Sequence, residues 1–187
     1  APTGYLCMVL HAHLPYVRHP ECDYFMEENW FFEALTETYI PLLQTFENLV
    51  SDGVRFRITM SLTPPLCSML ADPLLQTRYL RHLDRLIELA QKEVRRTRQY
   101  PAFNRTALMY LQRFQACRST FVDTCGGDLI AAFKGLQDQG ALEILTSAAT
   151  HGFLPNMQVN PKAVKAQIRV AVDSYQGFFG RPPRGIW

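Results

Sequence analysis

The chain has 187 residues, 48% hydrophobic, 12% aromatic and 19% charged, with 19 basic and 17 acidic side chains and a formal net charge of +2. That length suits one domain with a sizeable core, and the supply of aromatic and branched side chains excludes intrinsic disorder. No run of about 18 apolar residues occurs, which excludes a membrane-spanning helix, and the near balance of charge gives no reason to expect nucleic acid or an anionic membrane as a partner.

Tyr5 to His13 (YLCMVLHAH) is apolar, too short for a typical helix and bounded by Gly4 and Pro15, so a buried strand is expected. An irregular stretch rich in proline and aromatics comes next. Trp30 to Val50 carries Leu35, Tyr39, Leu42, Leu43, Phe46 and Leu49 at helical spacing and ends at Gly53. Arg55 to Leu62 (RFRITMSL) reads as a second strand, closed by Pro64-Pro65. Asp72-Pro73 is an N-cap followed by proline at the first helical position, and it opens a helix with Leu75, Tyr79, Leu83 and Leu86 on one face. The other face holds Lys92, Arg95, Arg96 and Arg98, but Glu88 and Glu93 interleave, so a solvated face is expected there.

Pro101 breaks the chain before a helix over Thr106 to Val122. Gly126-Gly127 separates it from a short helix over Asp128 to Gln139, which Gly140 caps. Ala141 to Ser147 (ALEILTS) is the third expected strand. Asn160-Pro161 repeats the cap-plus-proline device and opens a helix through Phe178. After the turn at Gly180, Arg184 to Trp187 reads as the start of a fourth strand. Strands alternating with helices imply parallel pairing through right-handed crossovers, an α/β architecture. The sequence stops inside an apparent strand, so the expectation is a piece of a longer domain.

Cys7, Cys22, Cys67, Cys117 and Cys125 are odd in number and include no CxxC pair. Buried free thiols in a reducing, cytoplasmic compartment are expected rather than disulfide stapling or a closed cysteine zinc site. The opening Ala1-Pro2-Thr3-Gly4 runs directly into the first strand, with no charged and apolar leader segment before it.

In parallel α/β folds ligands gather at the carboxyl ends of the strands. Strand one ends in His11-Ala12-His13, and residues two apart on a strand face the same side. Two such imidazoles could bind a metal, hydrogen-bond a polyol, or be satisfied core histidines. Strand two ends in Thr59, Ser61 and Thr63, which are rim hydroxyls or turn formers. His151 sits in a loop of small residues after strand three. Glu143, inside that strand, is expected to pair with an arginine. Trp187, and Trp30 with its neighbours Phe25, Phe31 and Phe32, could stack on a sugar or pack in the core. No GxSxG, GxGxxG, P-loop or HExxH motif occurs, so a serine nucleophile or phosphate cradle has no support.

These strand ends resemble glycoside hydrolase family 57. VLHAHLPYVRHPE, residues 9 to 21, is similar to that family's first motif, and ENWFFEALTETYIPLL, residues 28 to 43, is similar to its 1,4-α-glucan branching members. LEILTSAATHGFLP, residues 142 to 155, resembles the region of the second motif, and GIW, residues 185 to 187, the lead-in to the third. The resemblance implies the amino-terminal part of an incomplete (β/α)7 barrel over residues 1–187, with an inserted helical segment and a break inside strand four. It implies a retaining α-glucan enzyme, with branching favoured and α-amylase or 4-α-glucanotransferase activity as alternatives, acting on amylose or glycogen-like α-1,4-glucan.

The family's nucleophile is a glutamate in a Leu-Pro-Glu that comes just after the position of Trp187. No catalytic residue is therefore expected in this chain, and the chain alone is expected to be inactive. His11, His13, Trp30, His151 and Trp187 are the substrate-binding residues the resemblance implies, with no metal and no cofactor. Two other classes stay open. One is a metal-dependent polysaccharide deacetylase with His11, His13 and His151 as ligands, although no aspartate stands at a strand end beside them. The other is a non-catalytic sugar-binding fragment.

Overall fold

The computed structural model describes residues 3–187, so Ala1 and Pro2, where the reading for a leader segment begins, lie outside the described residues. In chain order the elements are β1 (Val9–Ala12), α1 (Glu28–Ala34), a π-helical turn (Leu35–Tyr39), α2 (Ile40–Ser51), β2 (Ile58–Leu62), α3 (Pro64–Leu70), α4 (Pro73–Arg96), α5 (Pro101–Ser119), a second π-helical turn (Thr120–Thr124), α6 (Leu129–Asp138), β3 (Leu142–Leu145), α7 (Leu154–Met157) and α8 (Pro161–Phe179). The chain forms two compact units instead of the one core that its length suggests. The first comprises Ala1–Val17, Phe46–Ala71 and Ile130–Trp187, and the second Arg18–Thr45 and Asp72–Leu129. The second unit, with α1, the start of α2, α4 and α5, has an apolar core of its own.

The first unit holds the sheet. Its strands run parallel in the order β1-β2-β3. His11 lies opposite Ser61 and Val9 opposite Thr59, while Ser61 in turn faces Leu145 and Thr59 faces Glu143. This register brings the polar ends of β1 and β2 side by side, because parallel strands in register end together. Met60, Leu62 and Ile144 are buried, as are Leu66 on α3, Phe133 on α6 and Ala171 and Phe179 on α8. Tyr175 on α8 donates to the Ile144 carbonyl at 3.0 Å and accepts from Gln137 at 2.6 Å, so its buried hydroxyl is satisfied on both sides. The expected fourth strand is reduced to a single parallel bridge between Thr146 and Ile186, closed by hydrogen bonds from Thr146 to Gly185 at 3.3 Å and from Trp187 to Thr146 at 2.8 Å.

Helix starts follow the cap signals closely. Asp72 accepts from the Leu75 amide at 3.0 Å, and Asn160 from the Ala163 amide at 3.3 Å. Proline comes after each at the first helical position, where no N–H is needed. The same chemistry corrects two expectations. Pro64-Pro65 does not merely close β2 but opens α3, and Pro101 does not break the chain but starts α5. Gly180 ends α8 in the left-handed conformation, with φ +72°.

The second unit is helical. Phe31, Phe32, Leu35, Tyr79, Leu83 and Phe121 are buried in it. The long helix expected from Trp30 to Val50 is interrupted by the π turn at Leu35–Tyr39. Pro41 is the physical reason, since it has no N–H to give the carbonyl of Glu37, four residues earlier. Arg113 supplies the missing donor, at 3.1 Å from the Glu37 carbonyl, and pairs with the Glu37 carboxylate at 2.8 Å. The basic face of α4 is a solvated one as expected, with Lys92 paired to Glu88 at 2.5 Å and Arg96 to Glu93 at 2.6 Å. Among the cysteines only Cys67 and Cys117 are fully buried; Cys7 is exposed, and all five are free thiols.

Candidate functional site

The carboxyl ends of β1, β2 and β3 in the first unit converge on a cluster of rings. His11 and His13 face the same side, with ring centroids 6.1 Å apart. The His151 ring stacks on His13 at 3.7 Å, nearly parallel, with 10° between planes. The Trp187 indole stacks on His11 at 4.9 Å and is 59% exposed, which leaves much of its surface open to solvent. His11, His13, His151 and Trp187, four of the five residues singled out from sequence, are therefore together. The fifth, Trp30, belongs to the second unit, where it is half-exposed on α1. Of its neighbours, Phe31 and Phe32 are core, and Phe25 stacks on His19 at 3.5 Å.

Each histidine is held by a specific partner. His11 Nδ1 shares a hydrogen bond with Ser61 Oγ at 2.5 Å, and His13 Nδ1 shares one with Thr63 Oγ1 at 3.0 Å. Both hydroxyl residues are fully buried at the end of β2. The remaining nitrogen of His11, Nε2, faces Nε2 of His151 at 3.0 Å. His151 has φ +57°, a left-handed backbone that a side-chain-bearing residue adopts only at a cost of about 1–2 kcal/mol. The loop is fixed by Gln167 on α8, which accepts from the Thr150 amide at 2.9 Å and donates to the Thr150 hydroxyl at 2.8 Å. At Gly152 a Cβ would meet Met157 Sδ at 2.8 Å, so the methionine side chain would have to move aside. His13 and His151, with Tyr16, Pro64, Thr150 and Ser174, line a cleft of about 620 Å³, the size range of a small-molecule site.

The electrostatics favour uncharged rings. Burial, then the proximity of His151, lowers the pKa of His11 below the usual histidine value. The same two causes, with His11 as a third, lower His13 to about 4. Neutral imidazoles present hydrogen-bond donors and acceptors without placing a net charge in the cleft. Both nitrogens of His11 are engaged, by Ser61 and by His151, and the His13 and His151 rings stack face to face. Among the described residues no group of three or more His, Cys, Asp or Glu is placed to hold a metal ion.

Glu143 meets Arg184 at 3.4 Å, an ion pair near the surface that fits the structural role expected of it. Sequence reasoning misses two features. It does not decide whether Ser61 and Thr63 are rim hydroxyls or turn formers, although their alternation in step with His11 and His13 is the available signal. The buried Glu28–Arg78 pair of the second unit, at 2.5 Å, gives none, because the partners lie on α1 and α4, far apart in sequence.

Parallel strands joined by helices, with a polar cluster at their carboxyl ends, define an α/β fold of the class that binds its ligands there. Glycosyl hydrolase family 57 matches over residues 7–187, and the chain belongs to that family. It is 38% identical to a 1,4-alpha-glucan branching enzyme of Thermococcus kodakarensis, over 98% of this chain and 26% of that protein. Its fold matches the crystal structure of the alpha-amylase AmyC of Thermotoga maritima with TM-score 0.92 and 48% identity, covering 97% of this chain and 34% of that one. It matches the branching enzyme of Pyrococcus horikoshii with TM-score 0.90 and 36% identity, covering 98% and 34%. The chain thus spans about a quarter to a third of the length of these relatives.

Proposed function

We propose that residues 1–187 are the amino-terminal part of the catalytic barrel of a retaining α-glucan-active enzyme, and that its reaction is 1,4-α-glucan branching. The observation that carries this reading is the cluster of His11, His13 and His151 beside a half-exposed indole, Trp187, at the ends of parallel strands. An aromatic face matches the apolar face of a glucose ring, and uncharged imidazoles match its hydroxyls. In this reading those four residues, with Trp30, bind an α-1,4-glucan such as amylose or a glycogen-like chain. No metal or cofactor has a role. The fully buried free thiols Cys67 and Cys117 suit a reducing cytoplasm.

Retention requires one carboxylate to attack the anomeric carbon and another to act as acid and then base, the two about 5 Å apart. Neither is assigned to a residue of this chain, whose part is to bind and orient the donor sugar. Branching further requires that the glucosyl group pass to the 6-hydroxyl of another chain instead of to water, which asks for an acceptor groove and restricted water access. On its own, residues 1–187 should make no branch points.

The 48% identity to an alpha-amylase supports a second reading, hydrolysis of the same substrate. Incubation of amylose with the full-length protein separates the two. Branching predicts new α-1,6 linkages with few new reducing ends. Reducing ends alone would establish hydrolysis, and no change in either, with chain lengths also unchanged, would contradict an α-glucan enzyme.

A further inference from the structure

Each of the two buried hydroxyls at the end of β2 has one hydrogen-bond partner among the described residues, a histidine Nδ1. A buried hydroxyl satisfies its own donor only by giving its hydrogen to an acceptor. Ser61 O–H therefore donates to His11 Nδ1, and Thr63 O–H to His13 Nδ1. Both rings then carry their proton on Nε2. His11 Nε2–H points at His151 Nε2, 3.0 Å away, and two protonated nitrogens cannot face each other there. His151 Nε2 is thus the acceptor, and its proton sits on Nδ1.

From this chain of directed bonds we infer that Ser61 and Thr63 are positioning residues: they fix the tautomers of His11, His13 and His151, so that the site offers its ligand two N–H donors, His13 Nε2 and His151 Nδ1. This deepens the glucan reading and rests on it for the ligand, since N–H donors select the lone pairs of sugar hydroxyls over ligands that can only donate. The reverse orientation would leave both serine and threonine hydrogens buried without acceptors, which is the costlier state. Tautomers are a property of neutral rings, and the lowered pKa values of His11 and His13 keep those rings neutral.

The test uses full-length protein labelled with 15N-histidine, with signals assigned by single His→Asn variants. The expected spectrum shows protonated Nε2 for His11 and His13 and protonated Nδ1 for His151. A protonated Nδ1 on His11 or His13 would overturn the inference whatever the enzyme's activity. If these tautomers are found and the protein leaves glucan unchanged, the functional reading fails and the tautomer assignment stands. Kinetics supply the second arm. Thr63→Val keeps the shape and removes the donor, and is expected to lower kcat/KM on amylose about tenfold with recovery in Thr63→Ser. A merely structural hydroxyl would lower stability while leaving the His13 tautomer and the kcat/KM of folded protein unchanged, and that result would also overturn the inference.

Discussion

The two units treat buried polarity in opposite ways. In the helical unit the two buried charged groups face each other, beside buried threonines. Glu28 and Arg78 pair at 2.5 Å, and Arg78 also donates to the carbonyls of His19, at 3.1 Å, and Cys22. In the sheet unit Ser61 and Thr63 at the end of β2 bond to His11 and His13, and His13 and His151 line a cleft. Closed charge fixes a fold, whereas neutral groups with spare hydrogen-bonding capacity recognise a ligand. A buried polar residue is therefore not by itself a sign of function. What separates the cases is whether the residue is turned to a protein partner or to a cleft.

The largest expected effect breaks the closed side of that contrast. Arg78→Met leaves the Glu28 carboxylate buried without its main partner and should cost about 3–5 kcal/mol in urea unfolding of the full-length protein. Adding Glu28→Gln should recover part of that loss, since the pair is coupled. A cost below about 1 kcal/mol for Arg78→Met would show that the pair does not fix the helical unit.

The open side should respond in the other currency, activity. His13→Ala and His151→Ala are each expected to lower kcat/KM on amylose by about tenfold to a hundredfold while shifting stability by less than about 1 kcal/mol. Unchanged kinetics in both variants would remove the cleft from substrate binding. A smaller effect belongs to the helix caps: Asp72→Ala should cost about 1 kcal/mol, because the Leu75 amide loses its acceptor.

The last prediction concerns the pH response of the histidines. The unfolded chain takes a proton on His13 near pH 6.5, but the folded protein does so only near 4. Below 6.5 the unfolded state thus binds more protons, and stability falls as pH drops from about 6.5 toward 4. His11, lowered in the same direction, adds to the slope. In His13→Ala this acid-side decline should flatten, and a decline of equal slope would assign it to other groups.

Much of the fold is legible because local chemistry writes it. The Asp72-Pro73 and Asn160-Pro161 caps mark helix starts within a residue, and the apolar runs around Met60 and Ile144 are strands. The misreadings share a cause. Pro64-Pro65 and Pro101 act as breakers or as helix openers depending on whether the residues after them can carry a helix, and composition alone does not separate these roles. The π turn at Leu35–Tyr39 depends on Arg113, from a helix far along the chain, replacing the donor that Pro41 lacks. At the site, the His11-Ala12-His13 spacing shows two rings on one side. That Ser61 and Thr63 serve those rings depends on the β1–β2 register, a property of the sheet rather than of either strand.

The most direct test is a crystal structure of the full-length protein soaked with a maltooligosaccharide. A glucose ring with its hydroxyl oxygens within hydrogen-bond distance of His13 Nε2 and His151 Nδ1, and its face on Trp187, is the expected result. Sugar bound only elsewhere, or a metal ion ligated by His13 and His151, would contradict the assignment of this cluster as a neutral glucan-binding site.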